Sequence, residues 1–252
     1  MTTYLRDCSV VFRRQIRMNL RNPAWVLIGI MQPVLYLLLF GPLLKPLVGE
    51  FGADNAYTFL VPGLLVQLGM FGAFFAGFGL IGEWREGVIE AERVTPANGT
   101  ALLVGRLMRD VAQLFVQAVI LVVLGWAMGM RASVEGVVIG IALTLLVGGA
   151  CAAASRALAL TTQSEDLMAP VINMVMMPIL LLSGILLPMT LGPQWLQNVS
   201  DFMPFRWIVD GVRDTFSGDF STSGLMWGTT WAVVLFGLAI WWGTAVFRKE
   251  DA

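Results

Sequence analysis

Six long apolar runs decide what this chain can fold into. Each reaches roughly the 20 residues that carry a helix across about 30 Å of hydrocarbon, at about 1.5 Å of rise per residue. Inside hydrocarbon no water satisfies the peptide groups, so a run of this length must be helical. The spans read as residues 24–44, 57–82, 102–129, 135–154, 167–187 and 225–247. The expected fold is an all-α polytopic membrane protein, a single domain over residues 1–252 with no second, soluble domain. Composition agrees: 57% of the residues are hydrophobic and 13% charged, against roughly 45–50% apolar content in soluble domains.

Cation bias sets the expected orientation. Arg6, Arg13, Arg14, Arg17, Arg21, Arg85, Arg93, Arg106, Arg109, Arg156, Arg248 and Lys249 fall on one side, and Lys45, Arg131, Arg206 and Arg213 on the other. Both termini are then expected in the cytoplasm of a multi-pass plasma-membrane protein. The five arginines among the first 23 residues do not fit a secretory signal peptide, so the first span itself is expected to direct insertion. Residues 1–23 form an amphipathic interfacial helix. Leu5, Cys8, Phe12, Ile16 and Leu20 make one stripe, with Arg6, Arg13, Arg14, Arg17 and Arg21 opposite, near anionic headgroups. That polar face serves as a plain membrane anchor or also meets a cytosolic partner.

The net charge of −1 and the lack of a basic patch give no reason to expect nucleic acid as a partner. With no histidine and only Cys8 and Cys151, a metal site is not expected either, and the two thiols, on separate helices, are not expected to form a disulfide.

Residues 83–96, between the second and third spans, interrupt the apolar pattern: six of the eleven residues 83–93 are charged. Read as a helix, Trp84, Val88 and Ala91 line one side, with Glu83, Glu86, Glu90 and Arg93 on another. Thr95-Pro96 ends it, because proline disfavours helix in the residue before it. The segment is either a docking element that shows carboxylates to the cytosol or a solvated loop that sets topology.

After the fifth span, residues 188–223 are too apolar for an ordinary loop. Trp195, Val199 and Phe202 have helical spacing, and Phe205, Ile208, Val209, Val212 and Phe216 form a second stripe after Pro204. Arg206, Asp210, Arg213 and Asp214 occupy the other face, at spacings that allow ion pairs. Two short helices dipping into the outer leaflet as a re-entrant segment fit this pattern, and so do two helices lying flat at the interface.

The pattern Glu83-x-x-Glu86-Gly87-x-Ile89-Glu90 followed by Val94-Thr95-Pro96 resembles the coupling-helix motif of type-2 ABC exporter permeases, notably the daunorubicin-resistance type. The resemblance recurs in residues 182–188, in Trp195-Leu196-Gln197 and in Pro204-Phe205-Arg206-Trp207-x-x-Asp210-Gly211-x-Arg213. Val88 departs from it, standing where the family often has threonine. The resemblance implies a permease dimer, in the simplest case a homodimer, on two copies of a cytosolic ATP-binding subunit. ATP and Mg would be held by those partners and no cofactor by this chain. It further implies that Glu83, Arg85, Glu86, Gly87, Ile89, Glu90 and Arg93 couple to the ATPase, and that spans two and five line the path of a drug or lipid.

The residues support the same division of labour. A phosphate-binding G-x-x-x-x-G-K-[ST] loop needs a lysine, and Lys45 and Lys249, the only two, have no such context. No catalytic residue is expected in this chain. Candidate path residues are Gln67, Phe71, Phe74, Phe75 and Phe78 in span two and Asn173, Met176 and Met177 in span five. Each also has an ordinary packing role: amides bond across helices and methionines fill cores. Gly69, Ala73 and Gly77 present a small face for close helix approach. Pro33, Pro62 and Pro178 are expected to bend or break their helices. An ion-coupled carrier would call for a carboxylate at mid-membrane depth, which the spans lack; a non-transporting anchor or sensor is the other alternative.

Overall fold

The computed structural model describes residues 2–21, 24–46, 49, 55–88 and 99–250. Among these the helices are α1 (Thr2–Arg21), α2 (Ala24–Leu44), α3 (Ala56–Phe74), α4 (Ala76–Arg85), α5 (Gly99–Ala127) and α6 (Val134–Thr162). They are followed by α7 (Glu165–Leu182), α8 (Gln194–Asp201), α9 (Pro204–Ser217) and α10 (Ser223–Glu250). Six segments are long and apolar enough to cross a membrane: α2, α3 with α4, α5, α6, α7 and α10. The described residues are all-helical in plan, as expected.

The core lies where α3 meets α6. Leu60, Leu64, Leu65, Leu68 and Met70 of α3 are fully buried, as are Val147 and Ala152 of α6. Glycines set the spacing between the second span, α3 with α4, and α6. A Cβ at Gly69 would lie 3.0 Å from the Thr144 carbonyl oxygen, and one at Gly77 would lie 2.5 Å from that of Ser155. The small face of span two is thus the surface on which α6 packs. By contrast, α2 buries only a narrow stripe that includes Ile30, Pro33, Leu37, Gly41 and Leu44. That spacing of three and four residues is one face of a helix.

Three span boundaries differ from expectation. The fourth span continues two turns past Ala154 to Thr162, so Arg156 lies inside α6 and is 2% exposed. The expected span, ending at residue 154, leaves Arg156 outside the membrane segment. The fifth span stops at Leu182 rather than 187, and Gly184 beyond it takes a positive φ of 71°. The second span is broken at Phe75, between α3 and α4.

That break has no proline. Helices α2, α3 and α7 continue through Pro33, Pro62 and Pro178. Instead Ser155 Oγ of α6 enters the ladder: it donates to the Phe74 carbonyl and accepts from the Gly77 N–H at 3.1 Å. A hydroxyl inserted into the i to i−4 pattern is a recognised cause of a helix kink.

The spans alternate in direction and so define two ends. One end carries α1, Glu83 and the start of α7; the other carries Asn55, Arg131, α8 and α9.

Candidate functional site

At the α1 end, five helices converge on a charged network. Glu83, in the last turns of α4, accepts from Arg106 of α5: Nε is 2.9 Å and Nη2 2.7 Å from Oε2. Its other oxygen accepts from Gln15 Nε2 of α1 at 2.9 Å. Gln15 Oε1 in turn accepts from Arg109 Nη1 at 3.1 Å. Arg109 also bonds Asp110 Oδ1 through Nε and Nη2, at 3.0 and 2.7 Å, and the second Asp110 oxygen pairs with Arg156 of α6. Arg85 reaches Glu165 at the start of α7, 3.2 Å away. Chemically this is a brace: charge-assisted hydrogen bonds, the stronger kind, join the end of α4 to α1, α5, α6 and α7.

The charged segment itself begins differently from expectation. Glu83 and Arg85 belong to α4, the end of the second span, and the chain turns at Glu86 and Gly87, where Gly87 has φ of 73°. One continuous helix from Glu83 is therefore not formed: Gly87 occupies a left-handed conformation that a helix interior excludes. Ile89, Glu90 and Arg93 lie outside the described residues, as does the rest of the segment through Pro96.

The candidate path residues do not share one surface. Gln67 is 1% exposed, and neither atom of its amide has a hydrogen-bond partner among the described residues. Phe71, Phe74 and Phe78 are half-buried, whereas Phe75 is 61% exposed. The rings of Phe75 and Phe78 lie 5.9 Å apart at a tilt of 32°. On α7, Met176 packs into the core while Asn173 and Met177 face outward. Two cavities flank the second span. One of about 630 Å³ lies between α1, α3–α4 and α5, with Phe75, Phe78, Glu83, Glu86, Arg109 and Gln117 on its walls. The other, about 320 Å³, is apolar and bounded by Phe74, Cys151, Phe205, Leu235 and Trp242.

At the opposite end, the second stripe of the 188–223 segment is buried: Phe205, Ile208, Val209, Val212 and Phe216 all face the core. Trp195 and Phe202, by contrast, are 65% and 86% exposed. Arg213 is the fastener. Its Nη2 donates to the Gly184 and Ile185 carbonyls at 2.8 and 3.0 Å, and its guanidinium carbon sits 4.0 Å from the Phe59 ring centre. Burial lowers Arg213 to about 10, with Asp210 and Asp214 opposing that shift. Burial likewise raises the Asp210 and Asp214 carboxyls, against the pull of Arg213. Arg206 joins α8 to α9, donating to Ser200 Oγ at 2.7 Å and Gln197 O at 3.1 Å, and pairing with Asp201. Trp207 Nε1 donates to the Asp201 carbonyl at 3.0 Å.

Sequence reasoning missed Gln15, Arg106, Arg109, Asp110 and Arg156 as a network. The charges themselves were the available signal. Asp110 beside two arginines near a span end is more than cation bias requires.

Comparison with known proteins gives a consistent answer. The sequence matches the family described as ABC-2 type transporter over residues 6–217. It is 26% identical over 217 residues to a putative transport permease, ycf38, of Porphyra purpurea, covering 84% of this chain and 75% of that one. The protein of the same description from Cyanophora paradoxa is 24% identical over 218 residues, covering 85% and 75%. With six membrane-length helices and a family match across most of its length, the chain belongs to the ABC-2 type transporter family.

Proposed function

We propose that this chain is the transmembrane subunit of an ATP-driven exporter that moves hydrophobic or amphipathic molecules, drugs or lipids, out of the cell. Membership of the family makes it a permease that associates with an ATP-binding subunit. The observation that carries the finer reading is the brace around Glu83. The charged segment leaves the second span at a carboxylate held by Arg106 and Gln15, one helix away from the Asp110–Arg156 pair in the core. A segment that only had to set topology would not need such an anchor.

In this reading residues 83–96 dock on a cytosolic ATP-binding subunit that supplies ATP and Mg. Two permeases, as a homodimer, sit on two such subunits in the plasma membrane, with both termini cytoplasmic. Rigid-body motion of the subunit on nucleotide binding pushes on α4. The brace passes that push to α5 and α6, while Ser155 at the break gives the second span a place to bend. The 188–223 segment forms the outer re-entrant cover, fastened to the bundle by Arg213.

The test is to replace Glu86 and Gly87 in the assembled complex. Gly87→Val places a β-branched residue at positive φ, a conformation that costs such residues about 1–3 kcal/mol. Hydrolysis that persists while export falls in Gly87→Val alone, with Glu86 intact, supports docking. Assembly and export both unchanged in Glu86→Ala/Gly87→Val oppose it.

A further inference from the structure

The cavity between α1, α3–α4 and α5 has a wall of an unusual kind. Gly72, Phe75, Ala76, Gly79, Gly82, Glu83 and Glu86 recur every three or four residues along one face of the second span and all line it. Glycine in a helix is unfavourable and normally repaid by close packing. Gly69 and Gly77 are repaid by α6, but a Cβ at Gly79 or Gly82 would meet nothing within 4 Å. At Gly72 it would meet only Gln117 Oε1, at 4.0 Å. Within this chain these three glycines face open space rather than a neighbouring helix.

The polar groups facing that space have acceptors to spare. Gln117 is 2% exposed and its Nε2 donates to Val26 O at 3.0 Å, while its Oε1 has no donor among the described residues. Glu86, at the mouth, has no ion pair among them either. Arg109, the one cation in the lining among the described residues, is engaged by Asp110 and Gln15. Both oxygens of Glu83 are taken. Phe75 and Phe78 supply π faces beside these acceptors, and rings of this kind attract organic cations. The volume of about 630 Å³ is within the roughly 300–1,000 Å³ of small-molecule sites.

We propose that this cavity is a binding site for an amphipathic organic cation, with its charge near Glu86 and its apolar body along Gly79, Phe75 and Phe78. The proposal rests on the export reading and names a substrate class for it. Its site, however, is contained in one chain and needs neither ATP nor a partner for binding.

The test uses the purified full chain in phosphatidylcholine nanodiscs, titrated with rhodamine 6G, a flat permanent cation, and with fluorescein, an anion of similar shape. Rhodamine 6G is expected to bind and fluorescein to bind at least about tenfold more weakly. Gly79→Leu fills the wall and weakens rhodamine by about tenfold, and Glu86→Gln, a change at an exposed side chain, by about fivefold. Unchanged thermal unfolding of Glu86→Gln keeps that arm interpretable if Gly79→Leu fails to fold. Equal binding of the two dyes, or rhodamine binding indifferent to both substitutions, overturns the site. Rhodamine bound with these dependences but never moved by the complex leaves the site standing and contradicts export.

Discussion

Arg106 Nη2 lies 2.7 Å from Glu83 Oε2, with the arginine side chain only 4% exposed. A carboxylate at the end of the second span therefore neutralises a buried guanidinium near the start of the third. Removing it takes a charged partner away from that buried guanidinium. Glu83→Gln is expected to destabilise the protein by about 2 kcal/mol, less than a fully buried pair because the carboxylate is partly solvated. Thermal unfolding of single and double variants checks this: Arg106→Gln added to Glu83→Gln should recover part of the loss.

The Asp110–Arg156 pair sits deeper. Arg156 is 2% exposed, and its Nη1 has no partner among the described residues. Asp110→Asn should cost about 3–5 kcal/mol, the range for breaking a buried pair from one side. Asp110→Leu with Arg156→Met should restore much of the stability without restoring coupled export. Unfolding in detergent and export in vesicles measure the two halves of that expectation.

Two neighbouring glycines should respond in opposite directions. Gly77→Ala pushes a methyl to 2.5 Å from the Ser155 carbonyl and is expected to cost about 1–3 kcal/mol. Gly79→Ala meets nothing and should gain up to about 1 kcal/mol from helix propensity. Paired melting curves decide it, and equal effects would contradict the packing described.

Arg213→Lys keeps the charge and loses the planar fork that serves the Gly184 and Ile185 carbonyls together. Stability should fall by about 1–3 kcal/mol. Proteolysis between α7 and α8 should rise, since the fastener between α9 and the end of α7 is weakened. Limited digestion followed by mass spectrometry locates the cut.

What was legible in the sequence were patterns that repeat within one element. The Phe205–Phe216 stripe is buried as its spacing required, and Gly69 and Gly77 are in contact with a neighbouring helix. What was hidden depends on partners distant in the chain. The break at Phe75 comes from Ser155, 81 residues beyond Phe74. Arg156 resembled a loop cation until its partner, 46 residues earlier, was adjacent. Periodicity carries no information about either. The start of the charged segment misled for a different reason: amphipathic spacing continued through Gly87, whose positive φ ends the helix.

In the proposed complex the charged segment after Glu83 meets an ATP-binding subunit. Photo-crosslinking from Val88 in native membranes tests it most directly, with the same crosslinker at Phe220, at the opposite end of the bundle, as reference. An ATP-binding protein captured from Val88 and absent from Phe220 is the predicted result. Capture from both positions alike, or efficient crosslinking at Val88 to lipid and other proteins with no ATP-binding subunit among them, would contradict it.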